Sequence, residues 1–211
     1  TTPEQEIEHL KKLVEQSGSK ALKFRVGGRM SRNVDAMPGR TETLIPLVRK
    51  TFGDSFDIHA DSNSTYDPPQ AIKVGRMLEE IKAVYFEEPC PFDHLEDTKV
   101  VADTLTLPVA GGEQEYSDWR FRWMIANRGV DIVQPDLQYY GGMVRSLRVA
   151  HMADVANMPT TEAAIQNGVT RDLYLVLGDP QADGGWAVRS YVKPFANWIW
   201  AGALMMAGGG L

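Results

Sequence analysis

Three short stretches decide the architecture: DIHADSN at 57–63, YFEEPCP at 85–91 and LPVAGGEQE at 107–115. Each is an apolar run that ends in an acid, and segments with helical patterning separate them. Asp61, Glu87 and Glu113 follow one another at intervals of twenty-six residues. That interval fits one strand, one helix and two loops, which predicts βα units in a parallel sheet. Parallel neighbours deliver all three carboxylates to the same end of the sheet, where they can converge. Converging carboxylates repel one another unless a hard divalent cation sits between them. An all-oxygen set of acids favours Mg²⁺ or Mn²⁺ over zinc.

Outward from this centre the same rhythm continues. Thr2-Pro3-Glu4-Gln5 has the form of a capping box with Pro at the first helical position, and Ile7, Leu10, Leu13 and Val14 keep helical spacing until Gly18. A strand is expected over 21–26, where Lys23 and Arg25 alternate with Leu22, Phe24 and Val26. Two cations on one face of an otherwise apolar strand are unusual. The polar, Gly-rich loop at 27–39 is long enough to be functional. Helical patterning follows over 41–51, with Pro46 expected to kink it or mark its true start. Beyond the third acid, Ser117 caps a helix ending near Asn127, 130–133 reads as a strand and 143–157 as a helix. Five strands alternating with helices argue for a barrel or a doubly wound sheet.

The 211 residues, 43% hydrophobic, suffice for one well-buried core with or without an appendage. A net charge of −6 argues against nucleic-acid binding, which usually shows a basic excess. The single cysteine, Cys90, excludes an internal disulfide and suits a reducing compartment. The first residue is Thr and no signal-like segment follows, so the chain reads as an excerpt of a longer protein.

Near Thr161 the character changes. The βα rhythm stops, Gly and Trp become frequent, and 195–211 carries no charge in seventeen residues, with Trp198 and Trp200 near its start. This has the look of an aromatic-belt entry into a bilayer, although it falls short of the roughly 20 apolar residues of a spanning helix. A buried helix or a disordered Gly-rich tail explains it equally well.

Two resemblances arise from these motifs. Residues 1–160 resemble the barrel domain of the enolase superfamily, on its mandelate racemase and muconate lactonising side. The marks are Lys23-Phe24-Arg25, Asp61-Ser62-Asn63, Glu87-Glu88-Pro89, Gly112-Glu113, and Gln134-Pro135-Asp136 followed by Tyr140-Gly141-Gly142. The resemblance implies that Asp61, Glu87 and Glu113 hold Mg²⁺, which grips the carboxylate of an acid-sugar substrate while a base removes the adjacent proton. Such a carbon acid is very weak, so its dianionic intermediate needs concentrated positive charge.

The family pattern at the first strand is Lys-x-Lys; Arg25 at the second position, a permanent cation, points to an electrostatic or substrate-binding role, as in acid-sugar dehydratases. Asp136 matches the acid of an Asp-His dyad, but no His follows in a suitable place, since His151 lies inside a helix. The resemblance also implies a missing first strand, missing seventh and eighth units and a missing capping domain. About five βα units of a (β/α)₈ TIM barrel remain.

Residues 161–211, with EAAIQNGVTRDLYLVLGDP, GGWAVRSYVKPF and NWIWAGALMM, resemble the C-terminal part of CcmF, the membrane haem-lyase subunit of bacterial cytochrome c maturation. The expected fold is therefore α/β, a partial TIM barrel joined to an unrelated segment that ends in a truncated apolar, potentially membrane-spanning helix.

The two resemblances imply a barrel domain at 1–160, a CcmF-like fragment at 161–211 and a chimeric junction near 158–162. For the first part they imply a Mg²⁺-dependent lyase or racemase, cytoplasmic, acting on a small carboxylate, homo-oligomeric when intact and impaired here by the open barrel. The alternatives are a membrane-tethered haem-lyase fragment at the periplasmic face, with haem and membrane contact through 195–211, and a chimera without function.

The neighbouring residues have plainer readings. Asn63 either orients Asp61 or closes an Asx turn. Glu88 and Glu115 are expected to be solvated or to support the ligands from behind. His59 and His94 read as structural or exposed, Cys90 as a buried filler, and Trp186, Trp198 and Trp200 as packing residues.

Overall fold

The computed structural model describes residues 1–160, together with the backbone of three later strands. Helix α1 (Pro3–Ser17) starts on the expected capping box, in which Thr2 Oγ1 accepts from the Gln5 N–H and Gln5 Oε1 accepts from the Thr2 N–H. Gly18, at φ +65°, ends it in the left-handed conformation that a side chain would resist.

Strands β1 (Ala21–Arg25), β2 (Asp57–Asp61), β3 (Tyr85–Glu87), β4 (Val109–Gly111) and β5 (Ile132–Val133) form one parallel sheet whose spatial order is their sequence order. Helices α2 (Arg40–Phe52), α3 (Pro68–Glu80), α4 (Leu95–Thr104) and α5 (Asp118–Ala126) connect them, and α6 (Met143–Val155) follows β5. This is the α/β arrangement with a five-stranded parallel sheet that the sequence predicts, and its sequential strand order is consistent with part of a barrel.

The pleat sorts the side chains. Phe24, Ala60, Phe86 and Val109 are register partners in one row, all buried in the common core with helix residues such as Leu44, Val48, Leu78 and Val101. Each large apolar side chain fully buried there contributes roughly 1.5–3 kcal/mol. The opposite face carries Lys23, His59 and Tyr85 in one row, and Arg25, Asp61 and Glu87 in the next row toward the strands' C-terminal end. Polar chemistry is thus concentrated on one face at one end.

Helix α2 runs from Arg40 to Phe52 with Pro46 inside it, so Pro46 does not mark its start. Pro46 and Glu42, whose carbonyl loses its donor, are both exposed, so water can replace the missing bond. The expected strand at 130–133 pairs over only two residues, because Asp131 uses its side chain as well as its backbone: Val109 N–H donates to Asp131 Oδ2 at 2.8 Å.

A single parallel bridge, Val133 to Thr160, extends the sheet past β5, with the Val133 N–H donating to Pro159 O at 3.0 Å. After it the topology changes. Strands β6 (Ala163–Gln166), β7 (Arg171–Pro180) and β8 (Trp186–Pro194) pair antiparallel in a second sheet. The loss of βα rhythm expected near Thr161 coincides with this switch. The apolar stretch at 195–211 lies outside the described residues, among which no helix is long and apolar enough to cross a membrane.

One carboxylate fastens α3 to the approach of β4. Glu79 Oε1 accepts from Thr106 N (2.6 Å), Thr106 Oγ1 (2.7 Å) and Leu107 N (3.2 Å), and Oε2 accepts from Arg76 (2.7 Å). Burial raises its pKa, but these donors outweigh burial and hold the carboxyl at about 2. A depressed carboxyl stabilises the fold above its ordinary value and loses that contribution as pH falls toward the folded value. Glu79→Gln is expected to cost about 1–2 kcal/mol in urea unfolding at pH 7. The deficit should narrow as the pH is lowered from 4.5 toward 3; one that is constant with pH would contradict this account.

Candidate functional site

The C-terminal ends of β1 to β4 are tied together beyond the strands. Val26 N–H donates to Asp61 O (3.0 Å), Ser62 N–H to Glu87 O (3.1 Å), Ser64 N–H to Glu88 O (2.9 Å) and Glu88 N–H to Ala110 O (2.9 Å). The backbone that carries the acids is therefore continuous with the sheet. Asp61 and Glu87 are register partners, both buried, and Glu113 stands half-buried two residues past the end of β4.

Both cations of β1 reach these acids. Lys23 Nζ donates to Glu87 Oε1 and Oε2 at 2.8 and 2.7 Å, and Arg25 donates to Asp61 Oδ2 at 3.2 Å. The alternation of Lys23 and Arg25 with apolar residues thus puts positive charge on the acid-bearing face. Burial pulls the Lys23 pKa down, but the Glu87 charge and its hydrogen bond prevail and leave it raised. Lys23 is held as an ammonium here. Arg40, which the sequence did not single out, is buried behind this corner and donates to Arg25 O and Thr1 O, both at 3.0 Å.

Burial drives Glu87 up to about 7 against the pull of Lys23, with the Asp61 and Glu113 charges adding to the rise. Glu88 is likewise pushed up to about 7, first by burial and then by Glu113, Asp61 and Glu87, against the hydrogen bond from Gln114. A cluster of carboxylates raised by burial and by one another is the environment a hard divalent cation relieves. Among the described residues, no group of three or more His, Cys, Asp or Glu stands in ligating geometry in this structure. The oxygens of Asp61 and Glu87 are instead engaged by Arg25 and Lys23.

The remaining expectations divide. Asp61 Oδ1 accepts from the Asn63 backbone N–H at 2.8 Å, an Asx turn, while the Asn63 side chain reaches Glu88 Oε2 at 3.4 Å. Glu88 and Glu115 are not solvated: they are 4% and 1% exposed. Glu88 accepts from Gln114 Nε2 at 2.8 Å. Glu115 pairs with Arg120 and accepts from the N–H groups of Tyr116 and Ser117. Both acids lie in loops, where the two-residue alternation that sorts strand side chains no longer applies. An acid followed within five residues by an Arg, as in Glu115 and Arg120, was the available signal.

Asp136 Oδ1 accepts from Gln138 N and Tyr139 N, both at 2.7 Å, so it is used within its own loop. His59 stacks on Tyr85 at 4.2 Å, and exposed His94 faces Asp97 at 3.4 Å. Cys90 is a buried filler whose thiol burial pushes up to about 12. The side chains of Trp186, Trp198 and Trp200 lie outside the described residues.

Residues 5–178 match the family model described as enolase C-terminal domain-like. The chain belongs to that family. The match runs past the junction expected near 158–162. Over 143 residues this enolase-family chain is 31% identical to the arabinonate dehydratase of Saccharolobus solfataricus, covering 67% of the chain and 36% of that protein. Its fold aligns with the mandelate racemase/muconate lactonizing protein of Paracoccus denitrificans solved with magnesium, at TM-score 0.71 and 29% identity, over 76% of this chain and 43% of that one. A separate segment of 58 residues, 27% of the chain, is 76% identical to the cytochrome c-type biogenesis protein ccl1 of Rhodobacter capsulatus, of which it covers 9%. The chain thus spans about a third of the dehydratase and less than a tenth of the biogenesis protein. Enolase-superfamily ancestry and the CcmF-like segment both stand.

Proposed function

We propose that residues 1–160 carry the Mg²⁺ and substrate half of an acid-sugar dehydratase site. The observation that carries this reading is the crowding of Asp61, Glu87 and Glu113 at one sheet end. There, the Asp61 and Glu113 charges add to burial in raising Glu87, while two cations from β1 face Glu87 and Asp61. In this reading Asp61, Glu87 and Glu113 hold Mg²⁺, or Mn²⁺ in its place, and Asn63 and Glu88 support them. Bound, the metal neutralises a substrate carboxylate and the negative charge that develops as the neighbouring proton leaves.

Lys23 and Arg25 have two stations. Without a divalent cation they neutralise Glu87 and Asp61; displaced from those oxygens, they project from the same strand toward a bound anion. Arg25 then acts electrostatically, and Lys23, released from Glu87, is the group able to carry a proton. Asp136, whose Oδ1 accepts from its own loop, would be a dyad acid left without its His. The dehydratase and magnesium-bound relatives support substrate class and metal alike.

The test is thermal or urea unfolding with and without Mg²⁺, on the chain and on Glu87→Gln. At Mg²⁺ one hundred times its dissociation constant, about 2.7 kcal/mol of added stability is expected. It should vanish in the variant. A chain indifferent to Mg²⁺ would end this reading.

The 76% identity over 58 residues favours a second reading for the other part. The C-terminal segment of the chain derives from a membrane protein of cytochrome c maturation, so that any membrane or haem contact belongs to that segment and the chain is a chimera of two unrelated reading frames. Sequencing the source DNA across codons 150–170 decides between them: separate continuations into two families support the chimera, and one unbroken read refutes it.

A further inference from the structure

We propose that Glu88 is a positioning residue, a clamp through which the three acid-bearing loops are held in mutual register by the Asn63, Glu88 and Gln114 side chains. The inference deepens the metal reading above and rests on it for its consequence, though not for its geometry. Each member follows one of the three acids within two residues: Asn63 after Asp61, Glu88 after Glu87, Gln114 after Glu113. The three come from the loops after β2, β3 and β4.

One carboxylate oxygen joins them. Glu88 Oε2 accepts from Gln114 Nε2 at 2.8 Å and from Asn63 Nδ2 at 3.4 Å. The backbone of Glu88 completes the connection, its carbonyl accepting from Ser62 Oγ at 2.7 Å and from Ser64 N at 2.9 Å. Asn63, Glu88 and Gln114 are all at least nine-tenths buried, so water does not compete for these bonds.

Two further observations show that the arrangement is imposed rather than relaxed. Asn63, Ser64 and Glu88 have φ of +46°, +63° and +43°, a left-handed region that residues with side chains seldom adopt. Glu88 Oε1 and Asn63 Oδ1 are buried and have no hydrogen-bond partner among the described residues. A loop free to choose would relieve both conditions by turning these side chains to solvent. The sheet ladder and the shared oxygen prevent it. The consequence concerns the acids next door: Asp61, Glu87 and Glu113 can act as one ligand set only while their loops keep a fixed spacing, and supporting bonds of this kind typically govern metal affinity.

The experiment combines hydrogen exchange with Mg²⁺ titration on the whole chain. Gln114→Met removes one donor without touching an acid, Glu88→Ala removes the clamp, and Glu88→Gln keeps an acceptor oxygen in place. Amide exchange over 61–66 should accelerate about tenfold or more in Gln114→Met and Glu88→Ala, and remain near wild type in Glu88→Gln. Exchange in α2 and α4 should stay unchanged, whereas a merely structural role would loosen these helices as well. Mg²⁺ affinity, read by calorimetry, should fall roughly 10–100-fold in the same two variants. Combining Gln114→Met with Glu88→Ala should add little beyond either alone, since both act through one oxygen. Unchanged exchange over 61–66 in Gln114→Met overturns the clamp, whatever Mg²⁺ does. Accelerated exchange in a chain that does not bind Mg²⁺ leaves the clamp standing and removes the metal reading instead.

Discussion

Glu115→Ala is expected to lower the unfolding free energy by about 2–3 kcal/mol, because it removes a buried carboxylate that satisfies two backbone N–H groups and pairs with the partly exposed Arg120. Glu115 is 1% exposed and pairs with Arg120, whose other arm donates to Phe92 O at 2.8 Å in the loop after β3. The second Glu115 oxygen accepts from Tyr116 N at 2.8 Å and Ser117 N at 3.0 Å, just before α5 begins at Asp118. Ser117, at the N-cap position, makes no side-chain cap of its own. Glu115 therefore anchors the start of a helix and ties two loops of the acid-bearing end. A domain of this size has about 5–15 kcal/mol in total, so the variant should unfold at markedly lower urea. Glu115→Gln, which keeps an acceptor for both N–H groups, should lose only about 1–2 kcal/mol. Equal losses in the two variants would show that the charge carries the whole effect and that a neutral acceptor for the two N–H groups contributes nothing.

Phe86→Ala should be more severe, at about 3–5 kcal/mol, for an unrelated reason. Phe86 sits in the middle strand of the five with none of its surface exposed, between Ala60 on β2 and Val109 on β4. Its ring fills the space that a small residue leaves on one side, and removing it opens a cavity that fixed strands cannot close. Phe86→Leu should restore most of the loss. Because Glu87 comes next on the opposite face, the variant also tests the link from core to site: if the chain binds Mg²⁺, weaker binding is expected even where Phe86→Ala remains folded.

Much of this was legible in the chain itself. The order of the five strands, the capping box at Thr2 and the stop at Gly18 all come from local chemistry that the tertiary structure leaves intact. Lys23 and Arg25 were legible as a pair because strand alternation has a strict period, and that period brings them to Glu87 and Asp61. The burial of Gln114 and Glu115 was not. They lie one or two residues past the acids, where the backbone leaves the sheet and a positive φ at Glu88 re-aims the side chain. Loop acids are ordinarily solvated, and only the structure shows that these are buried among partners from other loops. Pro46 does not start its helix, since a proline inside a helix is tolerated where the orphaned carbonyl meets solvent.

The coincidence of spatial and sequential strand order has a kinetic consequence. Each strand from β1 to β5 pairs with the one made just before it, so every new βα unit can dock on its predecessor as it is synthesised. Assembly can advance from the N-terminus unit by unit, and contact with anything after Thr160 is needed last. A parallel sheet built in this order lets each unit settle on the one before it while the ribosome is still translating the next, so that early units do not wait for late ones.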